Sequence, residues 1–175
     1  LDAVLTQLQR SQADVRWNLM VDLGVLELNG ENLPAQIWLN DSAKARWQVE
    51  RLVLQPQSNG RWGLVVHGLD SGEAIRPQSN ARLLAQEQKR LVNLLPDLLK
   101  ALPVVSAALK QATPLGVMRW GASRPLNHPL PRELQWCPTS AVGFCGDWIE
   151  GPGFGTAEGA IRSGVNLAEQ LHADR

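Results

Sequence analysis

Between Val142 and Gly164 the chain reads VGFCGDWIEGPGFGTAEGAIRSG, and here lie most of the residues whose types and spacing could do chemistry. Val142 to Cys145 is a short apolar strand, Gly146-Asp147 a turn, and Gly151, Gly153 and Gly155 a loop. Thr156-Ala157-Glu158-Gly159 then opens a helix of small residues. Strand, tight loop and helix N-terminus together suit an anionic or electron-rich group, because the first helical N–H groups are unpaired and the helix dipole is positive there. The glycines do not spell a dinucleotide fingerprint, whose third glycine falls three after the second, and no lysine follows to make a phosphate loop. Taken alone, they equally fit a loop that caps a C-terminal helix.

Other chemistry-bearing residues are sparse. His67, His128 and His172 stand far apart without ligand spacing, so no metal site is expected. Two cysteines, Cys137 and Cys145, make no disulfide framework, and a reducing, cytoplasmic setting is the default. Cys145, at the end of an apolar strand, reads as a small buried hydrophobe. Seven tryptophans without a tyrosine could stack on sugars. Yet Trp38, Trp47, Trp62 and Trp120 lie in or beside β-prone stretches, where Trp serves as a core or half-buried sheet residue.

At 175 residues the chain can bury a substantial core, and one compact unit is expected, divided at 139/140 into a longer region and a terminal strand and helix. Lys+Arg and Asp+Glu both number 17, and no stretch is strongly basic, which argues against nucleic acid as a partner. No apolar run reaches the roughly 18 residues of a membrane span and no signal peptide opens the chain, so no membrane partner is expected.

The elements that must position these residues are legible in part. Leu1, Val4, Leu5 and Leu8 share one face of a helix ending near Arg10. Trp17–Leu28 reads as a strand closed by Asn29-Gly30, Gln36–Leu39 as a short strand, and Asp41–Ala45 as a polar turn. Trp47–Gln55 and Arg61–Leu69 form a hairpin around Ser58-Asn59-Gly60. Leu84, Leu91, Leu95, Leu98 and Leu102 give residues 79–102 one apolar helical face, with Ser79 or Asn80 as N-cap and a kink or break at Pro96. Thr113–Ser123 returns to strand, and the proline-rich 125–138 crosses the surface. The fold class is therefore α+β: a mostly antiparallel sheet of about four strands with a long helix packed on it, then a terminal strand, Gly-rich loop and helix.

The order of Gly146-Asp147, the loop, Ala157-Glu158-Gly159-Ala160 and Ser163-Gly164 resembles the closing motif of FAD-dependent amine-oxidase-like flavoproteins, most nearly the renalase-like NAD/FAD-dependent oxidoreductases. WLNDSAKAR (38–46), RWGLVVHG (61–68) and MRWGASRP (118–125) are similar, more loosely, to phrases of that family's substrate domain, and they occur in the family's order. The resemblance implies a terminal strand and helix of the FAD-binding type behind a substrate-binding region. Asp147 would accept from a ribityl hydroxyl, Gly146 would allow close approach, and Gly155, Thr156 and Ala157 would bring backbone N–H groups to the pyrimidine edge. Glu158 would either touch the cofactor or complement the helix start. Gly159 and Gly164 would permit close helix packing. On the substrate side Trp120 would wall the pocket, Arg119 meet an anionic group and His67 orient a polar one. The same residues also read as a turn aspartate, a core tryptophan, a solvated strand arginine and a hydrogen-bonded core histidine.

One part of the family pattern is missing: no βαβ unit with G-x-G-x-x-G precedes these elements. The implied function is thus the substrate-domain and C-terminal part of an enzyme that transfers a hydride from a dihydronicotinamide or amine-type small-molecule donor to flavin. Its implied partner is an N-terminal FAD-binding region, and the isolated chain is expected to bind FAD weakly and to be inactive. The alternative is a non-enzymatic α+β module that binds a small ligand or a partner chain.

Overall fold

The structure, a computed structural model, describes residues 1–70 and 80–173. Its elements are α1 (Asp2–Arg10), β1 (Ala13–Val25), β2 (Gln36–Trp38), α2 (Asp41–Trp47), β3 (Val49–Pro56), β4 (Arg61–Leu69), α3 (Asn80–Leu98), α4 (Pro103–Ala108), β5 (Thr113–Pro125), β6 (Trp136–Cys137), β7 (Val142–Gly143) and α5 (Ala157–Ala173). Five strands form a sheet in the order β2-β3-β4-β1-β5, and the three pairings β2–β3, β3–β4 and β4–β1 run antiparallel. The chain divides into two compact units, Leu1–Asp14 with Gly121–Arg175, and Val15–Trp120. The sequence boundary at 139/140 falls inside the first of these.

In the 15–120 unit the period of two along β1 sorts the side chains. Trp17, Leu19, Val21 and Leu23 are buried, while Arg16, Asn18, Met20 and Asp22 between them take the other face. The hairpin continues this pattern, with Leu52, Leu54, Leu64 and Val66 in the core. The α+β expectation and the packed helix hold, because Leu91, Leu95 and Leu98 of α3 join that same core. Gly68 shows how close the helix lies: a Cβ there would stand 3.4 Å from Leu91 Cδ2 and 3.3 Å from Trp17 Cβ. Each buried leucine contributes about 1.5–3 kcal/mol relative to exposure.

Pro96 marks the expected break of α3. It sits in the last turn, and the helix ends two residues later at Leu98. A second helix starts at Pro103, where a ring-fixed φ and a missing N–H suit the first turn. Ser79, one of the two expected caps, lies outside the described residues, and Asn80 is already helical.

Three further expectations change. The polar turn at Asp41–Ala45 is the helix α2: Asn40 Oδ1 accepts the Ala43 N–H at 2.9 Å, and Gln48 closes the other end in a left-handed conformation. An Asx cap outweighs the turn propensity of the same polar residues. In α1 only Val4 is buried, and Leu1, Leu5 and Leu8 are exposed. Two of the tryptophans assigned to the core or half-buried sheet are exposed, Trp38 at 57% and Trp120 at 49%.

The other unit has a small core of its own. Val4 packs with Leu130 and Ile149, flanked by the half-buried Leu134, Cys137, Phe144 and Trp148. Gln7 Nε2 donates to Pro129 O at 2.8 Å and Ser11 Oγ to His128 O at 3.0 Å, tying α1 to the proline-rich segment. The terminal strand is shorter than expected: β7 is two residues long and pairs with β6, and Phe144 N–H donates to Gln135 O at 2.8 Å. Cys145 lies past the strand and is exposed, which overturns its reading as a buried hydrophobe. Among the described residues no helix is long and apolar enough to cross a membrane.

Candidate functional site

The residues singled out in the sequence fall into two groups, one in each unit. Gly146, Asp147, Gly155, Thr156, Ala157 and Glu158 belong to the loop and helix start of the first unit. The backbone N–H of Gly155 donates to Asp147 O at 2.7 Å, so the turn and the helix start are held side by side. Asp147 is half-buried, and its carboxylate has no hydrogen-bond partner among the described residues. Gly146 adopts φ +148°, and a Cβ there would stand 2.6 Å from Trp148 Cδ1. The space that its missing side chain leaves is thus filled by an indole.

Ser163 pins this turn to α5. Its Oγ accepts the Gly146 N–H at 2.8 Å and lies within hydrogen-bond reach of Gly146 O (3.0 Å) and Ala160 O (2.8 Å), between which its one proton must choose. Below it Gln135, fully buried, donates through Nε2 to Ser163 O at 3.0 Å and Phe144 O at 3.1 Å. Sequence reading missed Gln135 altogether, because a glutamine in a proline-rich stretch carries no local signature.

The helix start departs from expectation at Gly155, whose N–H is spent on Asp147 O, at Thr156 and at Gly164, while Glu158 takes one of its two expected roles. Thr156 is the cap: its Oγ1 accepts the Gly159 N–H at 3.2 Å. Its own N–H donates to Gly153 O at 2.9 Å and is not free for a ligand. Glu158 pairs with Arg162 at 2.8 Å, one turn along an exposed surface, and so complements the positive helix end by charge alone. Gly164 has nothing within 4 Å of where its Cβ would be, so it serves no close packing. Gly159 does, since a Cβ there would land on Gly153 O and lie 2.6 Å from its carbonyl carbon. What remains is one unpaired carboxylate, at Asp147, and two helix-start N–H groups, at Ala157 and Glu158, with no partner among the described residues.

The second group, His67, Arg119 and Trp120, belongs to the sheet unit. The structure brings two of the three together. Asn18 lies opposite His67 in the β1–β4 register. One orientation of its amide satisfies all its neighbours: Nδ2 donates to His67 Nδ1 at 3.0 Å and Trp17 O at 3.0 Å, and Oδ1 accepts the Trp120 indole N–H at 2.9 Å. The row continues outward, with Arg51 opposite His67 and Trp38 opposite Arg51. There the guanidinium lies over the indole at 4.9 Å. Burial, then the Arg51 charge, pushes the His67 pKa down; Glu50 opposes and Arg16 adds to the decrease.

Arg119 goes elsewhere. As the strand neighbour of Trp120 it points the opposite way, over the Trp17 ring at 5.6 Å, and its Nε pairs with Asp70 at 2.6 Å. Its side chain is only 16% exposed, so it is not the solvated arginine that the strand pattern allowed. The open face around the row also carries exposed Met20, Leu115 and Met118. A cavity of about 360 Å³ lies between Met20, Asp22, Gln55, Trp62, Val65 and Leu115, and one of about 910 Å³ between Leu26, Arg61, Val104 and Lys110. None of the expected cofactor or substrate residues lines either.

Chemically, the loop offers an acceptor and two donors at the positive end of a 17-residue helix. That donor set fits one edge of a planar imide such as a flavin's pyrimidine ring. It does not supply a pyrophosphate cradle. Among the described residues no group of three His, Cys, Asp or Glu could hold a metal ion. No protein-family model matches the chain, and neither a curated protein nor a solved structure does.

Proposed function

We propose that the chain forms the substrate-domain and C-terminal part of an FAD-dependent oxidoreductase that takes a hydride from a dihydronicotinamide or amine-type donor. One observation carries this reading. Thr156 caps the helix and spends its own N–H on the loop, leaving the Ala157 and Glu158 N–H groups and the tethered Asp147 carboxylate unpaired. Flavin, when bound, supplies the redox chemistry. The chain's own part is to direct two N–H dipoles and the helix field at the edge where negative charge develops on reduction, and to hold a polyol hydroxyl at Asp147. Thr156 stays outside this contact, which narrows the donor set to Ala157 and Glu158. An N-terminal dinucleotide-binding region would provide the phosphate contacts.

The exposed Trp38, Trp120, Met20 and Met118 favour a second reading, a non-enzymatic ligand- or partner-binding module. The visible absorption spectrum separates the two. The protein, produced from its full coding sequence, is mixed with excess FAD and desalted. A retained, perturbed flavin spectrum supports the oxidoreductase; a colourless protein refutes it and leaves the binding module.

A further inference from the structure

The row Trp120–Asn18–His67 has a property that neither functional reading uses. An amide has one accepting end and one donating end, and here both are committed. With His67 neutral, its Nδ1 is an acceptor, so Asn18 must present Nδ2 to it and Oδ1 to the Trp120 indole. A proton taken up from solvent at Nδ1 makes that nitrogen a donor. The Asn18 amide must then turn Oδ1 towards His67, which brings Nδ2 against the indole N–H, donor against donor. Trp17 O, which accepts from Nδ2 in the first arrangement, loses its partner in the second. We infer that Asn18 is a relay that holds the Trp120 indole while His67 is neutral and releases it when His67 is protonated.

The surroundings suit such a device. Trp120 is 49% exposed, so its ring has room to leave. The charged groups facing His67 are Arg51 and Glu50 of β3 and Arg16 of β1, and Arg16 and Glu50 pair with each other at 3.3 Å. Arg51 stands directly opposite and opposes protonation, so release belongs to the acidic side of the ordinary histidine range. The relay changes how the open sheet face presents an aromatic side chain. It stands whether or not the protein binds flavin.

The test is a pH titration of the seven indole N–H resonances by NMR, with Trp120 assigned through Trp120→Phe and His67 followed through its ring C–H signals. In the unaltered protein the Trp120 signal should move with the midpoint of His67. In Asn18→Ala His67 should still titrate while Trp120 stays still. In Asn18→Asp the carboxylate accepts from both neighbours, so the His67 midpoint should rise and Trp120 should remain bonded at both extremes. The other indole signals report whether each variant keeps its fold. A Trp120 signal that ignores pH in the unaltered protein, or that still follows His67 in Asn18→Ala or Asn18→Asp, overturns the relay.

Discussion

Two glycines of the same helix should respond to alanine with opposite sign. In a helix interior, Gly→Ala ordinarily stabilises by about 0.5–1 kcal/mol, because the unfolded chain loses freedom. Gly164 has open space around its missing Cβ, so Gly164→Ala should gain that amount. At Gly159 the new methyl would fall on the Gly153 carbonyl, 2.6 Å from its carbon, where an ordinary contact is about 3.5–4.0 Å. The obstacle is backbone, and its oxygen already accepts from Thr156 N (2.9 Å) and Thr156 Oγ1 (2.6 Å), so it cannot rotate aside without breaking the cap. Overpacking of this kind costs roughly 1–3 kcal/mol, and the upper half of that range applies to so constrained a neighbour. After the propensity gain, Gly159→Ala should lose about 1–2 kcal/mol. At roughly 2–4 °C per kcal/mol for a chain of this size, calorimetry should show Tm falling by roughly 5 °C for Gly159→Ala and rising by roughly 1–4 °C for Gly164→Ala. Shifts of the same sign in both variants would refute the close approach of loop and helix.

Three further outcomes follow from the packing and the titratable groups. Leu91→Ala, at a fully buried position joining α3 to the sheet, should cost roughly 3 kcal/mol in urea unfolding, and a loss under 1 kcal/mol would mean that the helix does not rest on that core. Gln135→Ala strips the Nε2 donor from two carbonyls at once and should cost about 2–4 kcal/mol, read as a lower denaturant midpoint; an unchanged midpoint would count against the Gln135–Ser163 connection. His67 is held neutral in the fold, so below its ordinary value of 6.5 the unfolded chain binds the extra proton first. Stability from this group is complete above that pH and is lost as pH falls through the lowered folded value. The Tm of the unaltered protein should therefore drop relative to His67→Gln between pH 7 and 5, and a constant gap would contradict the assignment.

The sheet and the long helix were legible because period-two alternation and a leucine stripe are local signals, and burial on one face enforces both. What local signals missed has a common cause. Asp41–Ala45 carries polar residues that suit a turn as well as a helix, and only the Asn40 cap decides between them. The exposure of Trp38 and Trp120 depends on whether anything covers the second face of the sheet, which no period along a strand encodes. At the candidate site, the loop and helix start were visible as a string of glycines and small residues, but hydrogen bonding decides which N–H groups remain available. Thr156 looked like a donor and is spent on Gly153; Glu158 read equally as a cofactor contact or a complement to the helix start, and its carboxylate pairs with Arg162. Arg119 and Trp120 were grouped through the resemblance carried by MRWGASRP, although neighbours in a strand point to opposite faces. Gln135 and Asn18 act through partners distant in sequence, and nothing adjacent to them announces it.

The most direct test of the flavin reading is a titration of FAD against the protein produced from its full coding sequence and its Ala157→Pro variant, followed by difference absorption. Proline is tolerated at the first helical position after the Thr156 cap, and the substitution deletes one unpaired N–H while leaving the helix in place. Loss of one hydrogen bond to the pyrimidine edge, at about 0.5–1.5 kcal/mol, should weaken binding roughly three- to tenfold with unchanged Tm. Equal affinity in the two proteins, or no flavin difference spectrum with the unaltered one, would contradict the account.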